Sequence, residues 1–133
     1  MNSVSKAGNS PIDFDILREL ERDVADDDPN VMLELTEIFL EDSLKHFEGV
    51  GHALAEGDYR KMEISGHSVK SSAATFGALV LADLCRQLEM CARTRQNEGI
   101  VENLAAARLE FARVQRALLE KRIEWKKAAG DEI

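Results

Sequence analysis

Apolar residues along this chain recur at helical spacing, and no segment alternates with period two for long enough to form a strand. Phe14, Leu17 and Leu20 predict a short helix over Asp13 to Val24. The acidic run Asp26-Asp27-Asp28-Pro29 closes it and opens the next. Asp28 can cap, Pro29 fits a first helical turn, and carboxylates favour the positive end of a helix. Capping explains the run better than metal binding does. A second helix is expected over residues 29–55, with Leu33, Leu40, Leu44, Phe47 and Leu54 as its apolar stripe. Gly57-Asp58 breaks the chain, and a third helix follows over 58–75. A fourth, over 78–97, is expected to bury Leu81, Leu84, Cys85, Leu88 and Cys91, with Asn97-Glu98-Gly99 as the next turn. The last helix carries Ile100, Leu104, Ala107, Phe111, Val114, Leu118 and Trp125 on one stripe and frays at Gly130. Four long amphipathic helices with short turns predict an all-α fold, an antiparallel four-helix bundle with a short additional N-terminal helix over one end. The chain divides into a flexible tail (1–11), the bundle domain (12–128) and a frayed C-terminus (129–133).

Composition narrows what such a bundle can do. At 133 residues the chain supports one hydrophobic core. A net charge of −8 argues against nucleic acid or an anionic membrane surface as partner. No apolar run approaches the roughly 18 residues of a spanning helix, and the polar N-terminus has no signal-peptide core, so a cytoplasmic location is expected. Cys85 and Cys91 lie on different faces of one predicted helix and read as two buried, reduced thiols. His46 and His52 have no ligand pair at the i, i+4 spacing that metal sites in bundles favour, so no metal site is expected. Mostly charged outer faces make a monomer the expectation.

The candidate chemistry sits in the third helix. At about 100° per residue, Tyr59, Met62, Gly66, Val69, Ala73 and Phe76 share an arc that defines the core face. His67 then lies about 140° from the centre of that arc and Ser71 about 180°, both turned outward. Ile64, Ser68, Ala74 and Thr75 surround them, and Lys70 lies one turn from His67. A neighbourhood almost free of bulky side chains lets another protein's backbone approach, while Ile64 offers it an apolar contact. Imidazole is a nucleophile near neutral pH, and a lysine beside it can offset the charge of a transferring phosphoryl group. The plain alternative is a solvated surface histidine.

The segment His67-x-x-Lys70-Ser71-Ser72 followed by Phe76-Gly77-Ala78 resembles the signature of histidine-containing phosphotransfer (HPt) domains. The resemblance runs from about Ile12 to Asn97 and takes in the Gly57-Asp58 turn and Leu81, Cys85, Leu88 and Glu89. It implies that His67 takes a phosphoryl group on Nε2 from an aspartyl phosphate of a response-regulator receiver domain and passes it to another receiver. Lys70 would steady the group. Glu89 would accept a hydrogen bond from Nδ1, with a plain surface role as its alternative and Glu63 as a competing candidate. Gly77 belongs to the supporting set, and Ile64, Ser68, Ser71, Ala74 and Thr75 to the partner-binding surface.

Two positions depart from the signature. Ser71 replaces the glycine that usually follows the lysine; its hydroxyl can donate to the phosphoryl group, or its bulk can narrow the set of receivers. Gly66 stands where alanine is common, and either loosens the helix or permits close packing. The resemblance also implies a hybrid sensor histidine kinase and receiver domains as partners, no cofactor of its own, and Mg2+ supplied by the receiver. Without a phosphate-binding glycine loop the chain is a relay intermediate with no ATP-dependent kinase activity, an enzyme only by convention. A different class of reading is a docking or inhibitory module that binds a receiver or kinase without accepting phosphate. A bundle with a metal or lipid inside would need polar inward stripes, which are nearly lacking.

Overall fold

Helix starts follow from local capping. Asp13 accepts from the amides of Asp15 and Ile16, Asp28 accepts from Asn30 directly before Pro29, and Asp58 accepts from Lys61. The computed structural model describes residues 10–130, and in these the chain forms five helices: α1 (Phe14–Asp23), α2 (Pro29–Glu56), α3 (Tyr59–Thr75), α4 (Leu79–Arg93) and α5 (Asn97–Ala128). The expected N-terminal tail, apart from Ser10 and Pro11, and the last three residues of the expected frayed end lie outside the described residues. Gly57 ends α2 in the left-handed region at φ 72°, which costs a glycine nothing. α3 packs against α2 and α4, and α5 against α4 and α2, so the four long helices close a ring. α1 crosses one end of it: the Asp13 amide donates to the Gly77 carbonyl at 2.8 Å, and Trp125 Nε1 donates to Glu21 at 2.7 Å.

The core is apolar and aromatic at its centre. Phe39 stacks on Phe76 with ring centroids 4.6 Å apart, and Phe111 meets Phe39 and Phe47 edge-on. The expected stripe of α5 is buried as a whole, from Ile100 to Trp125. The stripe of α2 keeps the expected Phe47 but otherwise differs from the expected one. Its buried positions are Met32, Thr36, Phe39, Ser43, Phe47, Val50 and Ala53, while Leu33, Leu40 and Leu54 are partly buried and Leu44 is exposed. Thr36 and Ser43 interrupt the apolar pattern of the true inner face, so the leucines beside it read as the stronger stripe.

Three further expectations are corrected. In α1, Phe14 is half exposed, and Ile12, Leu17 and Leu20 supply the contact with the core. Leu84 and Cys91 are only partly buried. The turn before α5 is Thr94 to Gln96, with Arg95 at φ 57°, and Asn97 to Gly99 already belong to the helix. Gly99 is there for space: a Cβ on it would stand 2.6 Å from the Cys91 sulfur. Cys85, by contrast, is fully buried, and burial pushes its thiol up to about 12, which leaves it unreactive.

Candidate functional site

α3 turns Met62, Ser65, Gly66, Val69 and Ala73 inward. Gly66 decides how close α4 can come. A Cβ at this position would meet Leu88 Cδ2 at 3.1 Å, the Cys85 carbonyl at 3.2 Å and the Glu89 amide at 3.3 Å. Two of those three atoms are α4 backbone, so the glycine serves close packing between the helices. The same approach brings Glu89 alongside the residue that follows Gly66, which is His67.

The His67 side chain is 59% exposed, and its Nδ1 lies 3.1 Å from Glu89 Oε2. Lys70 Nζ donates to Glu89 Oε1 at 2.9 Å, and Arg93 Nη2 donates to Glu89 Oε2 at 3.2 Å. Glu89 itself is nearly buried, with 9% of its side chain exposed. Burial alone would push this carboxyl up. Hydrogen bonds from Lys70 and His67, with the attraction of their charges, outweigh burial and hold it below its ordinary value. An ionised carboxylate can only accept, so the contact assigns the ring hydrogen to Nδ1. Nε2 then carries the lone pair, on a ring open to solvent.

Of the two carboxylates considered for this contact, Glu89 makes it; Glu63 instead accepts from Arg93 Nε at 2.8 Å. Lys70 is brought to His67 through Glu89, their common acceptor. Ser71 is exposed, and its hydroxyl donates to the His67 carbonyl at 3.1 Å, the backbone bond open to a serine one turn on. Ile64, Ala74 and Thr75 are exposed and Ser68 is partly exposed, so these residues flank His67 on the outer side of α3. Gly77 lies away from them, buried at the α3–α4 turn at φ 82° under the start of α1.

His46 is tied to Ser65 at 3.2 Å, and His52 is exposed. Among the described residues no three His, Cys, Asp or Glu side chains converge as a metal site, and no helix is long and apolar enough to cross a membrane. Sequence reasoning missed Arg93. Its signal was present, since Glu89 and Arg93 stand at the i, i+4 spacing of a helical ion pair.

These features define a class: a helical bundle presenting the His67 imidazole to solvent with a nearly buried carboxylate on its Nδ1. Residues 34–117 match the Hpt domain family. The chain belongs to that family, whose members carry out histidine phosphotransfer in two-component signalling with histidine kinases and response regulators. It is 27% identical over 117 residues to histidine-containing phosphotransfer protein 2 of Arabidopsis thaliana, an alignment spanning 82% of this chain and 75% of that protein. The crystal structure of histidine-containing phosphotransfer protein B from Pseudomonas aeruginosa matches with a TM-score of 0.77 at 26% identity, over 85% of this chain and 95% of that one. A histidine-containing phosphotransfer protein from maize shares the fold, with a TM-score of 0.75 at 21% identity over 91% and 88% of the two chains.

Proposed function

We propose that His67 is the phosphoryl carrier and that the chain relays the group between receiver domains of response regulators. The observation that supports this most is the Nδ1 contact of an exposed imidazole with Glu89 at 3.1 Å. It leaves Nε2 as the nucleophile. The Nε2 lone pair attacks the phosphorus of an aspartyl phosphate, the P–O bond to the acyl oxygen breaks, and the aspartate leaves as a carboxylate. Nδ1 keeps its proton throughout, and the ring becomes a phosphorylated imidazolium whose positive charge faces Glu89. The reverse sequence delivers the group to the next receiver.

Lys70 supplies positive charge one turn from the nucleophile, where it offsets charge on the transferring group. Ile64, Ser68, Ser71, Ala74 and Thr75 form the surface on which the receiver docks; the small side chains of Ser68, Ser71, Ala74 and Thr75 support close approach, and Ile64 supplies an apolar contact. The Ser71 hydroxyl can leave the His67 carbonyl by a single side-chain rotation and donate to the phosphoryl group. Gly77 supports the site through the helix turn alone. The Mg2+ that receivers use comes with the receiver, and the phosphoryl group enters the relay from a hybrid sensor kinase. The chain acts as a monomer in the cytoplasm, as a stoichiometric intermediate with no ATP-dependent kinase activity of its own.

The test is incubation with a phosphorylated receiver domain and Mg2+, followed by phosphorus NMR and mass mapping. An acid-labile, base-stable phosphoryl group on His67 is expected, absent from His67→Gln. Stable binding of a donor-competent receiver without phosphohistidine would instead establish a docking module.

A further inference from the structure

Glu89 has two oxygens and three donors, and the third donor is the informative one. Lys70 takes Oε1, while His67 and Arg93 share Oε2. Arg93 is also bound at its Nε to Glu63, which lies on the other helix of the seam. Glu63 precedes His67 by one turn on α3, and Arg93 follows Glu89 by one turn on α4. The antiparallel seam therefore carries two neighbouring rungs, Glu63 with Arg93 and His67 with Glu89, and the Arg93 guanidinium links them.

A lone surface ion pair would contribute little. This one differs because one of its acceptors is the nearly buried carboxylate that fixes the imidazole. A glutamate side chain with donors on one side only can pivot toward them. Were Arg93 removed, Lys70 would be the stronger remaining donor, and Glu89 could turn toward it and away from Nδ1. The imidazole would then be free to carry its hydrogen on Nε2, and that tautomer has no lone pair at the reacting atom.

We propose that Arg93, braced by Glu63, is a positioning residue that holds Glu89 Oε2 on His67 Nδ1 and so keeps Nε2 reactive. This inference rests on the assignment of His67 as the phosphoryl carrier. Arg93 touches neither the phosphoryl group nor the receiver's aspartate; its effect reaches the reaction through Glu89.

The experiment compares wild type with Arg93→Met, Arg93→Lys and Glu63→Gln. Nitrogen-15 NMR of the His67 ring in the free protein reads the tautomer. Single-turnover phosphorylation by a phosphorylated receiver, over a range of receiver concentrations, separates the maximal rate from half-saturation. Arg93→Met is expected to move the ring toward the Nε2–H form and lower the maximal rate roughly 5-fold, about one hydrogen bond's worth. Half-saturation stays unchanged. Arg93→Lys, which keeps the charge and can still reach Glu89, recovers part of the loss, and Glu63→Gln shifts both readouts the same way by less. A wild-type tautomer in Arg93→Met overturns the proposal, whatever happens to thermal stability. A shifted tautomer with an unchanged maximal rate overturns it as well. Failure of wild type to form phosphohistidine at His67 refutes the carrier assignment itself, and is recognised before any variant is compared.

Discussion

Replacing Gly77 by alanine perturbs the point where α1 joins the bundle. Gly77 has φ 82°, and a Cβ there would stand 2.5 Å from the Asp13 carbonyl oxygen and 3.2 Å from Ile16 Cβ. The left-handed backbone costs a non-glycine residue about 1–2 kcal/mol. Relieving the overlap requires the Asp13 carbonyl to retreat by nearly 1 Å. That movement strains the 2.8 Å bond from the Asp13 amide to the Gly77 carbonyl, which contributes about 0.5–1.5 kcal/mol. Lower entropy of the unfolded alanine chain returns about 0.4–1 kcal/mol. The net loss is about 2 kcal/mol, or roughly 6–10 °C in Tm for a domain of this size.

Gly57→Ala is the internal control. Gly57 also has positive φ, at 72°, but nothing lies within 4 Å of the place a Cβ would take, so only the backbone penalty applies, about 1 kcal/mol or less. Urea unfolding at pH 7 measures both variants, and phosphoryl acceptance is assayed on the folded fraction. Gly77→Ala is expected to unfold at distinctly lower urea than Gly57→Ala while still accepting phosphate at His67. Equal midpoints for the two variants would refute the claim that Gly77 is needed for the approach of Asp13. A folded Gly77→Ala protein that cannot accept phosphate would show that the glycine acts at the site directly.

Three other outcomes are expected. His67→Gln should abolish phosphoryl acceptance and leave urea stability within about 1 kcal/mol, since the ring is largely exposed; a large loss of helicity by circular dichroism would contradict that placement. Lys70→Ala should slow transfer more than it weakens receiver binding, and an unchanged single-turnover rate would remove Lys70 from the mechanism. Glu89→Gln should destabilise by about 1–2 kcal/mol at neutral pH, the range for charged hydrogen bonds discounted for exposed donors. The Glu89 carboxyl is held below its ordinary value when folded, so its contribution is complete above the unfolded carboxylate pKa of about 4.3 and is lost as pH falls through the lower folded value. The stability gap between wild type and Glu89→Gln must therefore narrow on acidification; a gap constant with pH, by urea titration, would show that the charge of Glu89 is not what stabilises.

Much of this protein is written locally. Asp13, Asp28-Pro29 and Asp58 start three helices through bonds to amides two or three residues away, and the stripe from Ile100 to Trp125 needs no other helix to be recognised. The outward direction of His67 follows from the same arithmetic, because the periodicity of one helix fixes which residues share a face. What the sequence alone left open was relative rotation and register. α2 carries two adjacent apolar stripes that share Phe47, and the one with Phe39 turns inward because Phe39 stacks on Phe76 and meets Phe111, as Phe47 also does, with Thr36 and Ser43 carried inward beside them. The choice of Glu89 over Glu63 as partner of His67, the meeting of Lys70 and Arg93 on that one carboxylate, and the role of Gly66 all depend on how closely α4 lies against α3 and at what height. Side chains on different helices meet only after packing has summed the apolar contacts of every neighbour, so their pairing cannot be read from the spacing along either helix.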